Sequence, residues 1–593
     1  MLTQSEFDLL NCLRGSERAF TQRDLAKTLN LSLGKINKLL KALSEQGLVS
    51  TEEKSYRLTK EGQGALAPHK VRNAVIMAAG TSSRFAPLYY EKPKGLLVVK
   101  NEVLIEREIR QLHEAGIDDV TVVVGYMKEK FFYLEEKFGV KIVVNEDYYR
   151  YNNTSTLMCV LDDLSNTYVC SSDNYFVDNV FEPYVYRAYY AAVYAAGKSD
   201  EYCLTTASDG RIKAVSIGGE NAWYMLGHVY FDRAFSDKFK EILVREYANA
   251  VTREQLWENL YMRYVDQLDL YIKKYSAETV KEFDTLEELR SFDMEYLNNA
   301  DSGILRSICQ VFDCEIKDIK DIRTMSAGLT NTSFRFAVDG REYVYRYPGR
   351  GTEKYINRKS EAFSMRAASD LGLDNTFIRM DEVKGWKISR FIPNAAELDY
   401  HNRAQVSKAI QMMRTLHGAD IASAYDFGIW DKTEDFVCRL RDSGKSDYED
   451  FERLYQLILQ VKDRVVRDPY SRKCLCHNDC YAPNFLFDDQ NGAYLIDWEY
   501  SGNDDPASDI GTFVCCSDYS YEDALAVIEE YLEHTPDRGE LAHYVGYIAI
   551  ASYYWYVWAL YQETRGNVVG EWLYLWHKNS KIYGKRALEL LAP

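Results

Sequence analysis

The stretch LCHNDCYAPNFLF, followed by LIDWEYSGND, holds a His-x-Asp, an Asn five residues after that Asp, and a second Asp thirteen residues further on. These are the parts that phosphoryl transfer from a nucleotide requires. Asp479 is placed to take a proton from an acceptor hydroxyl, while Asn484 and Asp497 offer hard oxygen donors that hold Mg²⁺ against phosphates. A second phosphate-handling stretch, AVIMAAGTSSRF, stands far upstream. Its strand-like run ends at Met77, and the chain turns through Ala78, Ala79 and Gly80, small residues that let backbone N–H groups approach a triphosphate closely. Arg84 adds a bidentate fork for phosphate oxygens. In EKPKGLL, Lys94 is a mobile cation suited to neutralising an α-phosphate under attack. No nucleophilic side chain is needed there, because the substrate's own phosphate attacks. Two phosphoryl chemistries on one chain point to consecutive steps of one pathway.

A chain of 593 residues is too long for one core and implies several domains. Its 46% hydrophobic and 27% charged residues fit a globular protein, and no run approaches the ~20 apolar residues that would span a membrane. The N-terminus has no basic start followed by an apolar core, so a secretory signal is not expected. Twelve scattered cysteines without ligand spacing read as reduced thiols of a cytoplasmic protein. The net charge of −18 argues against nucleic-acid binding by the whole chain. Residues 1–70 nevertheless carry eleven Lys/Arg and eight Asp/Glu, a local +3 on an otherwise acidic body.

The elements that must position these residues fall into three blocks. Residues 1–68 predict two short helices, a longer one through Leu31, Ile36, Leu39, Leu40 and Leu43, and a two-stranded wing. Thr21 and Asp24 form a near relative of a capping box. Lys35, Lys38 and Lys41 share the outer face of the third helix, where they would meet DNA phosphates or simply be solvated. Residues 67–70 read as a linker. Residues 72–298 alternate strand and helix, which predicts a mostly parallel sheet with covering helices. Residues 304–593 begin with hairpin strands turning at Asp339-Gly340 and continue into helix-rich sequence.

The first block resembles the winged helix-turn-helix of MarR-like regulators. The second, through AAGTSSR, PKGL, NEDYYRYNNTSTL, SSDNYF and EFDTLEEL, resembles the choline-phosphate and sugar-nucleotide nucleotidyltransferases, above all the bacterial CTP:phosphocholine cytidylyltransferases. That resemblance implies an α/β, Rossmann-like mixed sheet. It also implies Asp173 and Asp284 as Mg²⁺ ligands, and Tyr202, Trp257 and Glu258 around a choline headgroup. Ser82 replaces a usual glycine, and Tyr202 stands where the relatives have Trp. Asp284 also reads as a helix N-cap. Asn152 and Asn153 would contact ligand or form a turn.

The third block, through GLTNTSF, YVYRYPG, INRKSEAF, CHNDCYAPNFLF and LIDWEY, resembles the choline/ethanolamine kinases of the aminoglycoside-phosphotransferase superfamily. This implies an α+β protein-kinase-like fold, with Arg346 on the nucleotide phosphates and Glu361 pairing with it. His477 would buttress the loop, and Asp509 would cap the helix that starts near Ile510. Trp555 and Trp558, three residues apart, share a helix face and would cage a trimethylammonium or belong to a buried aromatic seam. Trp498 and Glu499 would line the same pocket.

Together the resemblances imply a bifunctional enzyme that phosphorylates choline with ATP and joins phosphocholine to CTP, releasing pyrophosphate. Its partners would be those small molecules and, through residues 1–68, DNA. Three alternatives stay open: ethanolamine or another amino alcohol as acceptor, a sugar phosphate for the middle domain, and a ligand-sensing transcription regulator.

Overall fold

The structure is a computed structural model that describes residues 2–14, 20–52, 55–81, 85–283, 285–293, 302–325, 331–349, 351–352, 355–565 and 567–592. The chain divides into two compact units, Met1–Gln310 and Val311–Pro593.

The first unit begins with helices Gln4–Arg14, Gln22–Thr28 and Leu33–Glu45 and the hairpin Val49–Glu52/Ser55–Leu58. Thr21 and Asp24 form a reciprocal capping box. Leu10, Leu25, Ile36, Leu40 and Leu43 make the small core. Residues 67–71 are not a free linker. Val71 N donates to Pro183 O (3.0 Å), and Val185 N donates to His69 O (2.9 Å). The first helix extends this attachment: Phe7 meets Tyr186 at 5.5 Å between ring centroids, and Arg14 lies 4.3 Å over the Tyr184 ring.

The seven-stranded sheet of this unit runs Tyr271–Lys274, Tyr189–Thr206, Ile212–Phe231, Thr167–Ser171, Asn73–Ala78, Val120–Val124, Lys141–Val144 in spatial order. The sheet is mixed. The pairings around Asn73–Ala78 are parallel, whereas the long hairpin Tyr189–Thr206/Ile212–Phe231 is antiparallel and joins Thr167–Ser171 antiparallel. Side chains alternate across the central strand. Ala74, Ile76 and Ala78 pack under helix Leu104–Glu114, while Val75 faces Val123 and Val160 on the other side.

The second unit opens with a five-stranded antiparallel sheet in the order Lys320–Thr324, Asn331–Val338, Arg341–Pro348, Lys387–Arg390, Phe377–Met380. Asp339 and Gly340 both take positive φ (50° and 72°), the turn expected for this hairpin. Helix Arg358–Asp370 follows. The rest is mainly helical, with short strands at Ala396–Glu397, Cys474–Cys476, Phe485–Phe487, Ala493–Leu495 and Gly502–Asp504, and its helices pack around Arg538–Thr564, whose residues are buried on nearly all sides. A helix apolar all round is one enclosed by others. No helix among the described residues is long and apolar enough to cross a membrane.

Candidate functional sites in the two units

In the first unit the central strand Asn73–Ala78 ends beside a cavity of about 470 Å³. Ala78, Ala79 and Gly80 line it, as do Lys94 and Asp173. Asp173 follows strand Thr167–Ser171, so both loops leave the carboxyl ends of parallel strands, where open α/β sheets bind ligands. Lys94 Nζ lies 2.8 Å from Asp173 Oδ2 and is 6% exposed. The lysine is held there by its neighbour. A Cβ on Gly95 would come within 2.9 Å of Ser172 Cβ, O and Oγ, so only glycine lets the loop lie flush against the Asp173 loop. Arg84, Ser82 and Asp284 lie outside the described residues. The cap of helix Leu286–Phe292 is Thr285.

The choline-contact expectation for the middle domain needs correction. Trp257 is fully buried. Its ring stacks on Tyr190 at 5.7 Å and meets Phe231 and Phe239 edge-on, so it belongs to the core and offers no face to a cation. Tyr202 and Glu258 do not line the cavity. Tyr202 donates to Asn259 Oδ1 (3.2 Å), and Glu258 accepts from Tyr190 (3.0 Å) and from Asn153 Nδ2 (3.4 Å). Burial pushes the Glu258 carboxyl above its ordinary value. The aromatic and acidic lining comes instead from Tyr148, Tyr149, Tyr151 and Glu254. The tyrosines stand in plain view in NEDYYRYNN, but nothing in their spacing separates pocket from surface. Asn152 caps helix Asn153–Met158, and Asn153 Oδ1 accepts from Trp257 N at 2.6 Å.

In the second unit, hairpin Phe485–Phe487/Ala493–Leu495 brings two of the predicted residues to one end. Phe485 faces Leu495, and Ile496 N donates to Asn484 O at 2.9 Å, so Asn484 and Asp497 flank the same turn of chain. Asn484 Nδ2 donates to Asp479 O (2.9 Å) and Oδ2 (3.0 Å), leaving Oδ1 as the atom for a cation. Asp497, at φ 65°, adopts a left-handed conformation that costs a non-glycine residue of order 1–3 kcal/mol and persists where the surroundings demand it.

Around these residues sits a cluster of three cations and three carboxylates. Arg346 is ion-paired with Glu361, lies 2.9 Å from Asp497 and 3.7 Å from Glu499. Arg358 lies 2.9 Å from Glu361 and 3.4 Å from Glu499, and Lys387 lies 3.7 Å from Glu361 and 3.5 Å from Asp497. Burial works against the charge of Asp497, but Lys387 and Arg346 outweigh it and hold the carboxyl at about 2. Desolvation, then the nearby Asp497, pushes Asp479 well above the usual carboxylate range. Glu499 thus belongs to the ion cluster, not to an acceptor pocket. Arg358 and Lys387 carry no sequence signal that separates them from surface cations.

Asp509 is no helix cap. It is the third residue of helix Ala507–Cys515 and is fully buried. It accepts from His477 N (2.8 Å) and Asn478 N (2.6 Å) and pairs with His417 Nε2 (2.9 Å), latching the loop that carries Asp479. His417, Cys476 and Asp509 form the one compact group of metal-ligand types among the described residues, but Asp509 is already bonded to protein on both oxygens. His477 Nε2 bonds Ile496 O at 2.9 Å, and the ring meets buried Trp498 edge-on at 4.6 Å. Trp498 donates to Leu495 O and is core. Trp555 and Trp558 touch at 5.4 Å, are 5% and 4% exposed, and sit among Tyr500, Tyr554 and Trp576.

Hard oxygen donors beside buried cations fit Mg²⁺ in the second unit through Asn484 and Asp497; in the first, Asp173 is the described donor of that kind. Fold and site together define a nucleotidyltransferase followed by a phosphotransferase. Family models match accordingly: winged helix-turn-helix DNA-binding at residues 2–50, MobA-like NTP transferase domain at 74–255, and the phosphotransferase enzyme family at 321–544. A choline-phosphate cytidylyltransferase of Streptococcus pneumoniae is 32% identical over 226 residues, 38% of this chain and 98% of the relative. A 2-aminoethylphosphonate cytidylyltransferase of Lancefieldella rimae is 32% identical over 229 residues, 38% of this chain and 93% of the relative. The crystal structure of choline kinase LicA from Streptococcus pneumoniae is matched with 22% identity and a TM-score of 0.41, covering 49% of this chain and 99% of that one. The chain belongs, through its middle region, to the cytidylyltransferase family that the first two relatives represent.

Proposed function

We propose that this chain makes CDP-choline in two steps: ATP-dependent phosphorylation of choline in the second unit, then cytidylyl transfer from CTP to phosphocholine in the first. The observation that carries the choice of substrate is the Asp479, Asn484 and Asp497 set on the same chain. The two cytidylyltransferase relatives differ in whether the substrate is a phosphate ester or a phosphonate. Only the phosphate ester is the product of a kinase, so a chain with its own phosphotransferase favours phosphocholine over 2-aminoethylphosphonate.

In the second unit Asp479 accepts the proton of the choline hydroxyl; burial and the neighbouring Asp497 raise its carboxyl, and a cation held at Asn484 and Asp497 would oppose that rise. Arg346, oriented by Glu361, holds nucleotide phosphate oxygens in a planar fork. Asn484 and Asp497 would hold Mg²⁺, which shields the transferring phosphoryl group. Trp555 and Trp558 give an aromatic wall to the acceptor side, each cation–π contact adding roughly 0.5–2 kcal/mol. In the first unit, backbone N–H groups of Ala78, Ala79 and Gly80, with Arg84, hold the CTP phosphates. Asp173 and Asp284 would hold a second Mg²⁺. Lys94 leaves Asp173 to neutralise the α-phosphate as phosphocholine attacks and pyrophosphate departs. Tyr148, Tyr149, Tyr151 and Glu254 receive the trimethylammonium. Both nucleotides are cytoplasmic, and we place the enzyme there.

Purified chain supplied with choline, ethanolamine or 2-aminoethylphosphonate tests this reading. It requires ADP with choline and pyrophosphate with phosphocholine plus CTP; pyrophosphate with the phosphonate alone contradicts it. A second reading, DNA binding by the head, is favoured by the exposed Lys35, Lys38 and Lys41 on helix Leu33–Glu45 and by the matching family model. Replacing the three lysines with Glu would abolish retention on DNA and spare both activities.

A further inference from the structure

The loop that carries Lys94 is gripped by chain that follows the nucleotidyltransferase region. Glu91 Oε1 accepts from Gly303 N (2.8 Å) and Ile304 N (3.2 Å), and Glu91 Oε2 accepts from Ser302 Oγ (2.5 Å). These are the first groups of helix Gly303–Phe312. The opening N–H groups of a helix have no partner within it, and a carboxylate there satisfies both the hydrogen bonds and the helix dipole. Ser302 is 1% exposed and its Oγ accepts from Leu305 N at 3.1 Å, so the clamp is built into the helix end. A Cβ on Gly303 would come within 3.0 Å of Glu91 Oε1 and would displace the carboxylate by a few tenths of an ångström.

The other side of the loop is fixed as well. Lys130 donates to Glu91 O, and Tyr126 donates to Tyr89 O at 3.3 Å. Further along, Lys100 N donates to Asp293 Oδ2 at 2.6 Å. Between these anchors stand Lys94, 2.8 Å from Asp173, and Gly95, flush against Ser172. Asp293 at one end and Ser302, Gly303 and Ile304 at the other therefore hold the loop, although they lie beyond the 74–255 span of the matching family model.

We propose that Glu91 is a positioning residue for cytidylyl transfer, acting through the Lys94 loop, and that Ser302 and the start of helix Gly303–Phe312 are part of that site. The inference rests on the role of Lys94 given above. A displacement of about 1 Å in a catalytic group can cost up to ~10² in rate. Lys94 acts where charge develops during attack, so its misplacement lowers kcat more than it raises KM.

The test compares Lys94→Ala, Glu91→Ala, Glu91→Gln and Ser302→Ala in the full chain. Pyrophosphate release and ATP-dependent phosphotransfer are measured on each. Glu91→Ala should lower kcat for pyrophosphate release about 10–100-fold with the CTP KM within about threefold of wild type, and phosphotransfer should be unchanged. Glu91→Gln keeps one acceptor oxygen for Gly303 N and Ile304 N but turns a donor towards Ser302 Oγ and carries no charge, so it should recover only part of the loss, because charged acceptors bind roughly twice as strongly as neutral ones. Full pyrophosphate turnover in Glu91→Ala, beside a loss in Lys94→Ala, overturns the clamp alone. So does an equal loss of both activities in Glu91→Ala. Full turnover in Lys94→Ala overturns the reading of Lys94 itself.

Discussion

Arg346 stands in a cluster whose charges balance: three cations, Arg346, Arg358 and Lys387, against Glu361, Asp497 and Glu499. Arg346→Ala leaves the cluster one negative charge in excess. Glu361 is 0% exposed, so water cannot take over the solvation of its carboxylate. Breaking a buried pair from one side costs about 3–5 kcal/mol. At about 2–4 °C per kcal/mol for large domains, the melting transition of the second unit should fall by roughly 6–20 °C. Arg346→Lys keeps the charge and loses the fork. It should melt near wild type while phosphotransfer falls about 10–100-fold, because a point charge cannot hold two phosphate oxygens in one plane. Scanning calorimetry with and without ATP, followed by ADP release with choline, measures both. A wild-type melting profile for Arg346→Ala, or full phosphotransfer in Arg346→Lys, would refute the reasoning.

The other perturbations separate the two units. Glu258 carries a carboxyl raised by burial, so the folded state resists its ionisation: stability is unaffected below its ordinary value of 4.5 and declines as pH rises through the raised value. Glu258→Gln should therefore melt higher than wild type at pH 8 and identically below pH 4.5, as read by calorimetry. Asp509→Asn presents an amide N–H₂ to donors at His477, Asn478 and His417, and an unsatisfied buried donor costs about 1–3 kcal/mol. Its phosphotransfer should fall at least about tenfold as the Asp479 loop slackens, with pyrophosphate release intact. Gly95→Ala drives a methyl group into Ser172 and should cut pyrophosphate release by up to ~10² while sparing phosphotransfer.

What could be read from sequence divides by the range of the interaction. Asp479, Asn484 and Asp497 lie within one hairpin and its flanks, so their spacing already encodes their proximity. The same holds for Thr21 with Asp24 and for the turn at Asp339-Gly340. Asp509 misleads because its start-of-helix position suggests a cap, whereas its partners come from His417 and from residues 477–478. Trp257 misleads differently: the family resemblance alone put it at a cation site, and only the packing of Tyr190, Phe231 and Phe239 shows that its faces are taken. Glu91 and Ser302 are 211 positions apart, and no local pattern links them. The antiparallel hairpin Tyr189–Thr206/Ile212–Phe231 reads poorly because its outer half is exposed and lacks an apolar face for periodicity to mark.

Phosphorus NMR of one reaction containing choline, ATP, CTP and Mg²⁺ follows both sites at once. Wild type should accumulate CDP-choline, with one pyrophosphate and one ADP for each. Lys94→Ala should stop at phosphocholine, and Asp479→Ala should yield CDP-choline only when phosphocholine is added. Absence of phosphocholine in Lys94→Ala, or unimpaired CDP-choline formation from choline in Asp479→Ala, would show that these two sites do not perform successive reactions.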